Sequence, residues 1–183
     1  MTTQIHLYNF VMETNILTRK QKIYGSWVRS LWIMILSITS LVLMLADVIC
    51  EYVLLWQGIH ASQFKQEALW MYYMHIVNAS IILILMIATF IIACIDNDKM
   101  KEIRAEYKIN HAFSWCCIVF SFVYIILSIV VVSLGAARLI SDDIQPYIAG
   151  FTLILPILSL IFGGLLFTNI NRFIKNHNKT ANS

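Results

Sequence analysis

Four apolar runs separated by charged segments constrain the fold of this chain more than any other feature. The runs cover residues 30–52, 72–95, 113–137 and 147–170. Each is long enough to supply the roughly 20 residues that an α-helix needs to cross about 30 Å of hydrocarbon. The sequence therefore predicts an all-α membrane protein, built as a bundle of four transmembrane helices within a membrane domain of residues 30–170.

Lysine and arginine are distributed unevenly among the segments that flank these runs. Eleven of the thirteen fall in the N-terminal arm 1–29, in the segment between the second and third runs, and in the tail 171–183. The first loop contains only Lys65 and the third only Arg138. Because cytoplasmic flanks accumulate positive residues, this pattern predicts that both termini are cytoplasmic.

The composition leaves little room for anything beside the bundle. Of 183 residues, 60% are hydrophobic and 13% are charged, which excludes a sizeable soluble domain. The formal charge of +3 is spread over membrane flanks, so it indicates contact with anionic membrane lipids and no nucleic-acid partner. The composition predicts a multi-pass membrane protein, and the tail has no signal that selects plasma membrane or endomembrane.

Two acids near the end of the first run form the strongest candidate site. Asp47 and Glu51 are four residues apart and share one helix face, about 27 Å and about 33 Å from the basic flank. On the second run, Asn78 and His75 lie about 27 Å and about 32 Å from the central charged segment. If the two helices are antiparallel neighbours, Asp47 can meet Asn78 and Glu51 can meet His75 near the external face.

This polar cluster has two interpretations. Intramembrane ionisable groups usually find partners inside a bundle, so the cluster is first read as a hydrogen-bonded clasp between two helices. The second interpretation is a site for a proton, a cation or a small polar ligand, with His75 able to titrate near neutral pH. The spacing of close histidines that a zinc site needs is missing, so we expect no metal and no cofactor.

Small residues recur along the third run, and the fourth run contains a proline. Ser114, Ser121, Ser128 and Gly135 are seven residues apart, a spacing that keeps them on one seam where a neighbouring helix can approach closely. We interpret the seam as packing within the bundle, with contact to a second copy as the other use. Pro156 predicts a bend in the fourth helix because it removes one backbone hydrogen bond.

Three of the four cysteines lie near the predicted cytoplasmic ends of the second and third helices. Cys94, Cys116 and Cys117 occupy positions where S-palmitoylation of juxtamembrane cysteine occurs. Their alternative role is packing as small apolar residues. No cysteine lies in a predicted external loop, so we expect no extracellular disulfide framework.

The charged segment between the second and third runs is expected to be helical as well. No glycine or proline occurs between Gly58 and Gly135, so nothing forces either helix to stop at the membrane boundary. The segment from Asp96 to Ala112 holds four acids against four bases. That balance favours a solvated helical hairpin over a lipid-binding basic patch.

The sequence contains no recognisable catalytic pattern. It has no GxSxG, no CxxC, no phosphate-binding loop and no second histidine beside the acids, so we expect no enzymatic activity. These features favour a structural, adaptor or organising membrane protein that contacts other membrane proteins, or a second copy of itself, through its helices. The alternative is a small transport or channel subunit that handles a cation or proton through Asp47, Glu51 and His75.

Overall fold

The four apolar runs form four long helices. The computed structural model describes residues 2–56, 69–107, 111–136 and 152–181. Within these ranges the chain is all-helical, with α1 at Thr2–Trp56, α2 at Leu69–Tyr107, α3 at Ala112–Ala136 and α4 at Ile154–Ala181. Each helix includes a stretch long and apolar enough to cross a membrane, as expected of a multi-pass membrane protein.

Three of the helices extend well past their apolar runs, and α4 continues beyond residue 170 to Ala181. At about 1.5 Å per residue, the 55 residues of α1 span roughly 80 Å. The 39 residues of α2 continue through the charged segment to Tyr107, as the lack of glycine and proline predicts. Helix α3 begins at Ala112, close to the predicted start of its apolar run.

Pro156 lies in the first turn of α4. The helix begins at Ile154, and Thr152 belongs to a short helical piece that is interrupted at Leu153. A proline is tolerated in the first turn because the backbone N–H that it lacks would have no helical partner there. The interruption at Leu153 lies three residues before Pro156, and the predicted bend of the chain at this point stays a prediction. Residues 147–151 lie outside the described part.

The four helices are arranged as a ring in chain order. Helix α1 packs against α2 and α4, and α3 packs against the same two helices, so α1 and α3 are diagonal. The rings of Trp27 and Phe167 lie 5.7 Å apart between their centroids, and Phe173 packs against the cluster that contains Ile23. The early part of α1 and the late part of α4 therefore meet at one end of the bundle, which we call the basic end.

The buried residues form three apolar layers along the bundle axis. The layer at the basic end joins α1 and α2, the central layer joins all four helices, and the third layer lies toward the opposite end. Their fully or nearly fully buried members are Ile23, Met100 and Ile103; Ile33, Ala93, Cys117, Leu166 and Ile170; and Met44, Ile82, Met86, Tyr124 and Leu155.

Helices α1 and α4 approach closely at Gly163. A Cβ atom at this position would lie 3.0 Å from Ile33 Cγ2 and 3.8 Å from the backbone nitrogen of Met34. At the next position, Gly164, the nearest atom would be Met34 Sδ at 3.9 Å. Gly163 thus allows the close backbone approach that stabilises helix pairs where lipid provides no hydrophobic drive for association.

Candidate functional site

A cluster of charged side chains is buried between the basic-end layer and the central layer. It consists of Arg29 on α1 with Asp96 and Arg104 on α2, and we call it the ionic cluster. Asp96 and Arg104 are completely inaccessible to solvent, and the side chain of Arg29 is 18% exposed. Charged groups are rarely buried unless paired, so the cluster is a site candidate on burial alone.

Asp96 accepts a hydrogen bond on each carboxylate oxygen. Arg29 Nε donates to Oδ1 at 3.0 Å, across the α1–α2 interface. Arg104 Nη2 donates to Oδ2, and Arg104 Nη1 donates to Asn97 Oδ1 at 3.4 Å. Helical side chains lean toward the N-terminus of their helix, which lets Arg104 reach back along α2 to Asn97 and Asp96.

The ionic cluster carries more positive than negative charge. Two guanidinium groups share one carboxylate, and the two arginines lie within electrostatic reach of each other. Nearer the basic end, Lys22 Nζ lies 3.3 Å from Glu102 Oε2 in an exposed ion pair with no net charge. This neighbouring pair therefore does not compensate the one excess positive charge of the ionic cluster.

Several donors in this layer have no acceptor among the described residues. Arg29 Nη2 and Arg104 Nε are buried without a hydrogen-bond partner, and so is the hydroxyl of Ser26, one turn before Arg29 on α1. Gly25 makes room for the guanidinium, since a Cβ there would lie 3.0 Å from Arg29 Nη1. An unpaired buried donor costs about 1–3 kcal/mol, and more when charged, so three in one layer require an explanation.

The prediction that the segment following the second run is solvated is wrong for its inner face. Asp96, Met100, Ile103 and Arg104 are buried against α1, because α1 also extends past its apolar run and covers them. The sequence contains a signal for the ion pair. Arg29 comes directly before the first apolar run and Asp96 directly after the second, so both lie at the same end of two antiparallel helices. Opposite charges at the same depth on neighbouring helices indicate an ion pair.

Asp47 and Asn78 lie toward the opposite end of the bundle, one turn beyond the third apolar layer. Both side chains are partly buried, and α1 packs against α2 as the predicted clasp requires. Tyr124 on α3 lies within electrostatic reach of Asp47, and its hydroxyl lies near the side chain of Ser128 on the same helix. The side chains of Glu51 and His75 lie outside the described residues, so the second pair of the clasp stays a prediction.

A layer of hydroxyl groups separates the central layer from the third layer. Ser37 and Ser159 are hydrogen-bonded across the α1–α4 interface with 3.1 Å between their oxygens. The hydroxyls of Ser40 and Ser121 are buried and reach no acceptor in the described part of the chain. Thr89 donates to the backbone oxygen of Leu85 on its own helix. Of these residues, Ser121 belongs to the predicted seam, whereas Ser37, Ser40, Thr89 and Ser159 carry no pattern in the sequence that marks them.

The structure separates the residues of the predicted seam and of the cysteine group by burial. Ser114 and Ser121 are fully buried and Ser128 is partly buried, whereas the surroundings of Gly135 lie outside the described residues. Cys94 and Cys116 are partly exposed, but Cys117 is fully buried beside the ionic cluster. An acyl group needs an accessible thiol, so Cys117 is the least suited of the three.

Within the described part of the chain, no three His, Cys, Asp or Glu side chains converge in a way that could hold a metal ion. No protein-family model, curated protein or solved structure matches this chain. The choice of function therefore depends on the geometry of these residues.

Proposed function

We propose that this chain is an integral membrane protein of structural, adaptor or organising type, which acts through lateral contacts of its helices and not as an enzyme. Both of its termini are assigned to the cytoplasm, in accordance with the distribution of lysine and arginine. Its partners are membrane lipids and either other membrane proteins or a second copy of the chain.

The closed interior is the observation that carries this proposal. Ile33, Met86 and Leu166, from three different helices, are each 0% exposed, and apolar side chains fill the axis at two levels separated by hydroxyl groups. A conducting path through a single bundle would have to open both levels. A packed interior favours a protein that presents its outer surface to neighbours.

The outer surface can be tested one helix at a time. Val42, Ile84, Ile129 and Ile161 are outward-facing residues of α1, α2, α3 and α4, each at least half exposed. Tryptophan at one of these positions changes the shape of one face without adding charge. Since lateral contacts use one face, we expect one variant to weaken association at least about tenfold, equivalent to ~1.4 kcal/mol, while the other three serve as controls.

Association is measured by energy transfer between donor- and acceptor-labelled copies in liposomes, and by cross-linking to neighbouring proteins in native membranes. Vesicles that contain the wild-type chain should pass ions no faster than empty vesicles. Wild-type flux, or four tryptophan variants that all associate like the wild type, would contradict the organising role.

A second candidate, a transport subunit for a cation or proton, is favoured by one specific observation. The unpartnered hydroxyls of Ser40 and Ser121 lie between the ionic cluster and Asp47, and hydroxyls without protein partners are sites where water binds. In this proposal Asp47, Glu51 and His75 form the entry for the ion at the external face.

The two candidates differ in what Asp47→Asn combined with Glu51→Gln does. Transport predicts a wild-type flux that this variant abolishes while its abundance in the membrane is normal. A clasp predicts reduced abundance and no wild-type flux. Asp98→Asn removes one exposed acid from α2 and is the control for loss of charge alone.

A further inference from the structure

We propose that the ionic cluster binds a phosphate group, held by Arg29, Arg104 and Ser26. The phosphate belongs either to a phospholipid headgroup or to a small soluble phosphate, which share the chemistry that these side chains recognise. The site is independent of the lateral contacts proposed above and would be present in an organising protein or a transport subunit.

The three unpartnered donors are the first argument for an anion. Arg29 Nη2 and the Ser26 hydroxyl belong to α1, and Arg104 Nε belongs to α2. Ser26 is one turn before Arg29, whose guanidinium group shares Asp96 with Arg104. Asp96 accepts one bond from each arginine and Asn97 accepts a third, yet none of the three remaining donors forms a hydrogen bond with these oxygens. A ligand with several acceptor oxygens satisfies all three donors together.

The net charge of the layer is the second argument. One carboxylate faces two guanidinium groups, so a buried positive charge is left without compensation. Burying an unpaired charge costs several kcal/mol, and an anion next to both arginines removes that cost. A water molecule could satisfy the donors but would leave the charge unbalanced.

Phosphate fits the donor geometry better than a monatomic anion. Each guanidinium group uses part of its donor fork on Asp96, so the donors left over are single N–H groups on two side chains. One phosphate offers several acceptor oxygens to such separate donors, whereas a monatomic anion offers a single atom. Arg29 is the one partly exposed member of the cluster, whereas Arg104 and Asp96 are fully buried, so a ligand would enter beside Arg29. The cluster lies close to the end of the apolar part of the bundle, the depth at which phospholipid headgroups are found.

The test uses the full chain, purified in a non-ionic maltoside detergent that contains no phosphate. One arm adds phosphatidic acid or, for comparison, diacylglycerol with the same acyl chains, and counts retained lipid by native mass spectrometry. The other arm adds inorganic phosphate and measures the shift in unfolding temperature. Retained phosphatidic acid assigns the site to a lipid, and stabilisation by inorganic phosphate assigns it to a soluble ligand.

Two variants and a matched control identify the residues. Arg29→Gln removes a charged donor and should weaken phosphate binding at least about tenfold, while Ser26→Ala, which keeps all charges, should weaken it roughly threefold. Lys22→Gln removes the same charge from the exposed ion pair nearby and should bind like the wild type. Ser26→Ala tests the site even where Arg29→Gln does not fold.

Two outcomes would overturn the proposal. The first is that the wild-type chain binds neither phosphatidic acid nor inorganic phosphate, which would mean that the unpartnered donors do not form a phosphate site. An equal loss in Lys22→Gln and Arg29→Gln, with none in Ser26→Ala, means that general electrostatic attraction to the basic end explains the binding.

Discussion

Arg29 on α1 donates a hydrogen bond of 3.0 Å to Asp96 on α2, although the two residues are 67 positions apart in the chain. The bond joins two helices between two apolar layers of the bundle. Asp96 is also the carboxylate that compensates Arg104, so one acid supports two buried cations. The compensation of both buried arginines therefore depends on the carboxylate of Asp96.

Replacing Asp96 by asparagine should strongly destabilise the bundle. The substitution keeps the side-chain size but leaves two arginines buried without a counter-charge, which costs about 3–5 kcal/mol. Asp98→Asn, an exposed acid two residues further along α2, should change stability by less than about 0.5 kcal/mol. Unfolding by a denaturing detergent measures both, and equal stabilities would show that the ion pairs contribute nothing.

The two adjacent glycines of α4 should respond differently to alanine. Gly163→Ala places a methyl group 3.0 Å from Ile33 Cγ2, and the β-branched, fully buried Ile33 has little freedom to move, so we expect a loss of about 1–3 kcal/mol. Gly164→Ala has room and gains up to ~1 kcal/mol in helix propensity. Unfolding curves test the difference, and a reversed order would refute the close α1–α4 contact.

The hydrogen bond between Ser37 and Ser159 should be measurable as a coupling energy. In membrane helices such contacts average about 0.6 kcal/mol in double-mutant cycles, so the two alanine variants should be non-additive by roughly that amount. Ser133→Ala, whose hydroxyl bonds to the Ile129 carbonyl of its own helix, is the control. Paired with Ser37→Ala it should be additive, and additivity in both cycles would exclude the interhelical bond.

Palmitoylation, if the cysteines carry it, should follow thiol exposure. Acyl exchange labels each palmitoylated cysteine of the purified chain. We expect the amount of label to fall in Cys94→Ser or Cys116→Ser and to be unchanged in Cys117→Ser, because the Cys117 thiol is fully buried. Label that depends on Cys117 alone would require the bundle to open beside the ionic cluster.

The orientation can be read from glycosylation. Asn178 with Thr180 forms an acceptor sequence in the tail, which should stay unmodified because the tail is predicted to be cytoplasmic. An acceptor introduced into the loop at residues 57–68 should be modified. The reverse pattern, measured as a mobility shift removed by glycosidase, would invert the assigned orientation.

The sequence predicts the helices well because the membrane imposes one rule on each apolar run. Hydrophobicity and length place the apolar part of each helix, and the lack of glycine or proline explains why α2 reaches Tyr107. They do not predict that α1 begins as early as Thr2 or that α4 continues to Ala181. The start of α4 was less predictable, since apolar residues continue upstream of Pro156 and only the proline geometry decides where the regular helix begins.

The ionic cluster was harder to predict than the helices because burial is a property of pairs of helices. Counted along the chain, Arg29 and Asp96 are two of many charges that flank apolar runs, and such charges are usually solvated. They are buried because α1 and α2 both continue past the apolar region and remain packed together. The contact between these extensions is seen in the buried cluster that contains Ile23 and Met100. Asp47 and Asn78 stood out because they lie within apolar runs, where any polar residue is conspicuous.

The circular order of the helices has a consequence for biosynthesis. Each helix touches the ones before and after it in the chain, and α4 also touches α1. Three helices can therefore associate in the order in which they leave the ribosome, but α1 keeps one side uncovered until the last helix arrives. On that side of α1, Ile33 contacts Gly163 and Ser37 bonds to Ser159 only after α4 has been inserted. A chain shortened before α4 would present this exposed seam to the quality-control machinery of the membrane.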